Sequence, residues 1–305
     1  MRRAVHRERR LLMSETNMSG RSGKNETRRG CLYLVATPIG NLADMSERGL
    51  KVLSEVDFIA AEDTRNSLRL LTHFGISKPL VSYYEHNKRE RGSELVARMQ
   101  SGESCALITD AGTPGISDPG EDIVRMCAEA GVDVIPVPGA CAAVCALAAS
   151  GLPTARFCFE GFLPVERAER RRRLEALRGE QRTLILHEAP HKLRTTLGDL
   201  CREFGEDRRV ALCRELTKLN EQVLRMTLGE AVAYYGPNEP RGEYVLVLAG
   251  ADVAADDCFW QDMTIDEHFE YYINSGLDRK SAVKAVAHDR GVSKNDIYQR
   301  FIAKE

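Results

Sequence analysis

Nowhere is the chain apolar over the roughly eighteen residues that a membrane-crossing helix needs, and its basic N-terminus lacks the apolar core of a signal peptide. These absences predict a soluble protein. The nine cysteines are odd in number and include no C-x-x-C pair, which disfavours both a disulfide framework and structural zinc and predicts reduced thiols in the cytoplasm. No G-x-G-x-x-G follows the first apolar run, and no G-x-x-x-x-G-K-[ST] occurs, so an ordinary dinucleotide site and a nucleotide triphosphatase are both disfavoured. Internal repeats and low-complexity tracts are missing, as is any order of Ser, His and Asp, or of Cys and His, that assembles a nucleophile. With a formal net charge of −2, the chain also lacks the basic excess that announces a nucleic-acid partner.

What is present is concentrated in Asp110-Ala-Gly-Thr-Pro-Gly-Ile-Ser-Asp-Pro-Gly120, which holds three glycines, two prolines and two aspartates. It follows the apolar run Cys105 to Thr109, a predicted buried strand, and leads into a predicted helix with Asp118 as N-cap, Pro119 in the first turn and Glu121 completing a capping box. A strand, a glycine-rich loop and a helix make a ligand loop, because backbone approaches a small molecule closely where side chains are missing.

Strand and helix patterns alternate through the first half. Strands are predicted at Leu32–Ala36, Phe58–Ala61, Leu80–Tyr83, Cys105–Thr109 and Val132–Ile135, with helices near 46–54, 66–74, 93–100 and 142–149. That alternation means a largely parallel sheet covered by helices. Four more strands, at Phe157–Glu160, Thr183–Leu186, Val210–Cys213 and Tyr244–Leu248, are expected with helices between them. The predicted organisation is a disordered basic extension (1–29), an N-terminal α/β domain (30–150), a C-terminal α/β domain (151–250) joined at Gly151-Leu-Pro-Thr154, a linker (251–262), and a small helix-turn-helix-like module (263–305). Met13 and Met18 leave a later start open.

If the first-half strands are parallel, their C-terminal ends share one edge, which gathers Thr37-Pro-Ile-Gly40, Glu62-Asp63-Thr64-Arg65, Asp110-Ala-Gly-Thr113 and Pro138-Gly-Ala140. Small apolar residues and glycines with little cationic charge suit a neutral-to-cationic ligand. Glu62, Asp63 and Arg65 read equally well as acid–base chemistry or as a helix cap with a local salt bridge. Arg214-Glu-Leu-Thr-Lys218 is similarly two-faced. His187-Glu-Ala-Pro-His191 matches the zinc-protease pattern in letters only. A strand runs straight into it, and Pro190 within the required helix would cost about 3 kcal/mol, so Pro190 is expected to start the next helix and no metal is expected. Two basic runs, His86 to Arg91 and Arg167 to Arg173, flank these loops and read as solvated faces or as a phosphate-contacting surface.

The segments Val35–Asp44, Ala60–Arg65, Thr109–Pro114, Pro138–Ala140, Glu188–His191 and Arg214–Lys218, in that order, resemble the signatures of the ribosomal RNA small-subunit methyltransferase I family, in the tetrapyrrole-methylase superfamily. The resemblance covers about Leu32 to Gly250. It implies a homodimer of chains with two α/β domains and a cofactor cleft between them, plus the small C-terminal helical module. It also implies S-adenosyl-L-methionine as methyl donor and 2′-O-methylation of a cytidine in the decoding region of 16S rRNA, within the assembled small subunit. Carried over, the cofactor residues are Thr37, Pro38, Gly40, Asp110, Ala111, Gly112, Thr113, Ile116, Ser117, Asp118, Pro138, Gly139, Ala140, Cys141 and Ala142. Glu62 and Asp63 are candidates near the nucleophile, with Arg65 and Lys218 as phosphate or ribose anchors. Two positions depart from the pattern: His187 stands where tyrosine is common and Cys141 where serine is frequent. The rival readings are methylation of a tetrapyrrole or other small acceptor, and a non-enzymatic nucleic-acid-binding factor acting through the C-terminal module.

Overall fold

The computed structural model describes residues 26–251 and 259–301. The basic extension expected over 1–29 therefore lies outside the described residues up to 25, as do 252–258 of the linker and the last four residues. The first unit alternates strictly: β1 (Cys31–Val35), α1 (Glu47–Glu55), β2 (Phe58–Ala61), α2 (Thr64–His73), β3 (Leu80–Ser82), α3 (Lys88–Gln100), β4 (Cys105–Ile108), α4 (Gly120–Glu129) and β5 (Asp133–Val137). Its sheet has the order β3-β2-β4-β1-β5, and every pairing is parallel. Strand residues alternate between two cores. Tyr33, Val35, Ile59 and Ile108 face α1 and α2, whereas Leu32, Phe58, Ala60 and Leu107 face α3 and α4. The connections leaving β1 and β4, which are neighbours, thus diverge to opposite faces and open a crevice at the strands' C-terminal ends.

The second unit contains β6 (Phe157–Phe162), α6 (Arg167–Leu177), β7 (Thr183–Glu188), α7 (Pro190–Phe204), β8 (Arg209–Arg214), β9 (Gln222–Thr227), α8 (Leu228–Tyr235) and β10 (Tyr244–Leu248). Its order is β6-β7-β10-β8-β9; β6 and β7 are parallel and the other pairings antiparallel. Leu184, Leu186, Leu246 and Leu248 pack with α6, α7 and α8 on one face. Ile185, Ala211, Cys213, Val245 and Val247 pack on the other against α5 (Ala142–Ser150), through Ala143, Ala146 and Leu147.

Several boundaries differ from the sequence reading for identifiable reasons. β9 was not expected: it is an edge strand whose Gln222, Arg225 and Thr227 dilute the apolar signal, and it follows β8 without a helix. β5 continues through Pro136, which an edge strand paired only with β1 tolerates. α4 starts at Gly120, with Pro119 at the cap position and no side-chain cap. α5, grouped by sequence with the first unit, lies on the second sheet. After the linker, α9 (Ile265–Asn274), α10 (Arg279–Asp289) and α11 (Lys294–Phe301) enclose a small core of Phe269, Val283, Val286 and Ile297. Thr264 and Glu267 form a reciprocal capping box at its start.

Candidate functional site

The loops after β1, β4 and β5 are tied to one another. Thr37 and Gly112 form an isolated antiparallel bridge, and the Thr37 hydroxyl donates to the Thr109 carbonyl at 3.1 Å. Gly112 sits at φ +88°, a conformation other residues reach only with strain. The Thr113 hydroxyl donates to the Ala140 carbonyl at 2.9 Å. Gly139 lies so close to the Ala36 side chain that a Cβ there would approach it to 2.8 Å. Asp118, expected as N-cap, instead gathers its own loop: the N–H groups of Gly115, Ile116 and Gly120 donate to its carboxylate at 2.7–3.2 Å. Ser117 is held at φ +62° and its hydroxyl packs towards Gly161 of β6, which joins the loop to the second unit.

The facing wall comes from the second sheet. His187, two positions after Ile185 on β7, stands on the α5-covered face with its ring edge-on to Phe159 and Phe162, at centroid distances of 5.3 and 5.5 Å. Burial lowers its pKa from the ordinary value against an opposing effect of Glu243, which favours the neutral imidazole. Its Nε2 is buried without a hydrogen-bond partner among the described residues. The β8–β9 connection carries Glu215 and Thr217 at positive φ (+50° and +65°), and the Thr217 hydroxyl is likewise buried and without a partner among the described residues. Lys218 forms ion pairs with Glu215 and Glu243, both at 2.8 Å. Burial opposes its charge, but the two carboxylates outweigh that effect and raise its pKa. Gly40 presses on this connection; a Cβ there would fall 2.4 Å from Lys218 Cγ and 2.9 Å from the Thr217 hydroxyl.

Between the walls lies a cavity of about 380 Å³, lined by Ala111, Gly112, Thr113, Ile116, Cys141 and Ala142 from the first set of loops and by Phe159, Phe162, His187, Leu216, Lys218 and Tyr244 opposite. Among the described residues its charged lining consists of Glu188, Glu215 and Glu243, with Lys218 alone as cation. Glu188 turns its carboxylate to the other face of the sheet, where Thr196 donates to it. A smaller hollow of about 190 Å³ is lined by Thr37, Pro38, Gly40, Asn66, Thr109 and Asp110. The fifteen residues carried over as cofactor contacts thus divide: some line the cavity, some the hollow. Ser117, Asp118, Pro138, Gly139 and Ala140 line neither, and four of these have visible supporting contacts: Ser117 towards Gly161, Asp118 within its loop, Gly139 against Ala36, and Ala140 with Thr113.

Glu62 and Asp63 follow β2, beside Asp110 rather than beside Lys218. Desolvation, then the carboxylates of Asp110, Asp118 and Asp63, push the Glu62 carboxyl up from its ordinary value. The Asn66 amide donates to Asp110 at 3.3 Å. Asp63 is the N-cap of α2, accepting from the Arg65 N–H at 2.8 Å and pairing with its guanidinium at 3.3 Å. Asp63 and Arg65 thus have a local structural role, and neither they nor Glu62 lines the cavity or the hollow. β7 runs to Glu188 and α7 starts at Pro190, so His187 and His191 share no helical face. Among the described residues no group of three or more His, Cys, Asp or Glu is placed to hold a metal, and no helix is long and apolar enough to cross a membrane.

Sequence reasoning missed Phe159, Phe162, Cys213, Glu243 and Tyr244 as lining residues. Their strand pattern was legible, but which face of the second sheet would turn towards the first unit was not.

A ligand cleft bounded by the loops of a parallel sheet and one face of a mixed sheet is the arrangement of the tetrapyrrole (corrin/porphyrin) methylases, whose family model matches residues 31–232. A uroporphyrin-III C-methyltransferase of Thermus thermophilus superposes with a TM-score of 0.52 at 22% identity, covering 72% of this chain and 94% of that one. A diphthine synthase gives 0.55 at 18% identity, covering 72% and 90%. At those identities the likeness establishes the fold. Sequence similarity goes further. A ribosomal RNA small subunit methyltransferase I of Synechocystis sp. is 48% identical over 276 residues, 90% of this chain and 99% of that protein. Its counterpart in Bacillus subtilis is 43% identical over 287 residues, 93% and 97%. The chain belongs to the ribosomal RNA small subunit methyltransferase I family of tetrapyrrole methylases.

Proposed function

We propose that this protein uses S-adenosylmethionine to methylate the 2′-hydroxyl of a cytidine in the decoding region of 16S rRNA, in the assembled small subunit, as a cytoplasmic homodimer. The observation that supports this most is that 43–48% identity to proteins named for small-subunit rRNA methylation runs through about nine-tenths of the chain.

The cleft suits the donor. Its volume falls within the roughly 300–1,000 Å³ of small-molecule sites. Gly112 and Gly139 give backbone access, and the unpartnered His187 Nε2 offers a polar contact. Carboxylates outnumber cations along the lining, so a positively charged sulfur is not repelled. When bound, the donor supplies an activated methyl group on that sulfur. Thr37, Pro38, Gly40, Asp110 to Thr113 and Pro138 to Ala142 would hold it, with Ile116 to Asp118 shaping the adjoining loop.

A ribose hydroxyl is a weak nucleophile, so the chain has to place its oxygen in line and receive one proton. Glu62 is the proton acceptor in this reading, because its raised pKa makes it a better base than an ordinary surface carboxylate. Asp63 fixes Arg65 at the edge of α2, where the guanidinium meets a phosphate, and Lys218 anchors the ribose. The test offers the protein three acceptors with the same labelled donor: assembled small subunits, naked 16S rRNA and a reduced tetrapyrrole. Transfer to subunits above the other two supports the assignment, and transfer to the tetrapyrrole alone replaces it with the small-acceptor reading.

A further inference from the structure

The cleft itself has little with which to hold a polyanion, since Lys218, the one lysine lining it among the described residues, is already paired with two glutamates. An RNA acceptor must be gripped elsewhere, close to the cleft mouth. We infer that the groove between α6 and α7, whose lining residue Val165 follows Phe162 of the cleft by three positions, is the track for single-stranded RNA flanking the methylated nucleotide. This inference rests on the reading that the acceptor is RNA.

β6 delivers Phe162 to the cleft with 59% of its surface exposed, and three residues later Val165 is 82% exposed at the end of a groove of about 800 Å³. α6 starts two residues beyond, and Arg167, Arg170, Arg171 and Arg202 line the groove. Its carboxylates are largely committed. Asp199 is held between Arg170 at 2.8 Å and Arg202 at 3.1 Å, and Glu166 accepts from the N–H groups of Ala168 and Glu169 as the α6 cap. Glu203 is the remaining acidic residue in the lining. Arg167 has no ion pair among the described residues, and Arg171 meets only Glu175 one turn on, at 3.4 Å and exposed. As residues i and i+4 they stand on one helical face. In the other basic run Lys88 pairs with Glu85 and Asp122, and Arg91 with Glu94, and no residue of that run lines the cleft or this groove. An exposed aromatic near Arg167, which has no ion pair among the described residues, and the solvent-exposed Arg171 is a combination that binds single strands, the ring stacking a base and the cations following the phosphates.

The test measures binding of the full-length protein to a single-stranded RNA oligonucleotide, and to small subunits, across a series of salt concentrations. Arg167→Glu with Arg171→Glu should weaken RNA binding at least tenfold at low salt. It should also reduce the slope of log affinity against log salt by about 1.4, the value for two lost phosphate contacts on a single strand. Cofactor binding and melting temperature should stay at the wild-type values. Phe162→Ala should weaken binding with the salt slope unchanged, because stacking releases no counterions. Unaltered affinity and slope in the double arginine variant would overturn the track, as would absence of RNA binding by the wild-type protein. Salt-dependent RNA binding that the arginine variant loses, without methyl transfer by the wild type, would retain the track and discard the proposed reaction.

Discussion

Thr37, on the loop after β1, and Gly112, on the loop after β4, exchange two backbone hydrogen bonds of 2.9 and 3.1 Å. The bridge lies where connections from adjacent strands part to opposite faces, so it closes the base of the crevice in which such sheets bind ligands.

Gly112→Val tests that bridge. At φ +88° a branched side chain is strained, and a Cβ would also touch Ile39 at 3.4 Å. A left-handed conformation costs a non-glycine residue about 1–2 kcal/mol. The melting temperature should fall by a few degrees, and calorimetric affinity for S-adenosylmethionine should drop at least tenfold. Wild-type affinity would remove Gly112 from the cofactor loop.

Glu62→Gln separates stability from activity. Because the folded pKa of Glu62 is raised above its ordinary 4.5, its favourable contribution is complete below that pH and is lost as pH rises through the shifted value. At pH 7–8 the glutamine variant should therefore melt at or above the wild-type temperature, with less pH dependence above 4.5. Its turnover should fall by about a hundredfold, the lower end for loss of a general base, with cofactor affinity nearly unchanged. Unchanged turnover would take Glu62 off the list.

His187→Phe removes an imidazole whose Nε2 has no partner among the described residues. Since the folded pKa is lowered, stability from the neutral ring is present above about 6.5 and is lost as pH falls through the depressed value. Thermal melts should show the variant less sensitive to acid over that interval, while cofactor or acceptor affinity falls severalfold. A variant that binds both as the wild type does would show that the imidazole contacts neither.

Asp118→Ala leaves three loop N–H groups without their acceptor. Hydrogen bonds to a charged group are worth roughly 1.5–3 kcal/mol each, though water recovers part of that in this half-exposed loop. Amide hydrogen exchange should accelerate across 115–120 and cofactor affinity should fall at least tenfold. Unaltered exchange would mean that the proline-rich loop holds its shape by itself.

The first unit was largely legible because one strand after another ends in a distinctive loop, and parallel pairing places those loops on one edge. Asp63 and Arg65 show where that reasoning is ambiguous: a polar group at a strand end also caps the following helix, as Asp63 does here. The second unit was less legible. β9 carries Arg225 and Gln222 along a sheet edge, where one side needs no apolar residue. Phe159, Phe162 and Glu243 meet His187 only through pairing and a register shift near Gly161, relations that local periodicity does not encode. α5 reads as another helix of the first unit, and its placement depends on small residues fitting the second sheet.

The most direct test of the central claim supplies labelled S-adenosylmethionine to small ribosomal subunits from cells lacking this protein, then digests the rRNA to nucleosides. The account predicts label in 2′-O-methylcytidine, transferred by the wild type and nearly abolished in Glu62→Gln. Label in a base-methylated nucleoside, or none in rRNA despite measured donor binding, would contradict it.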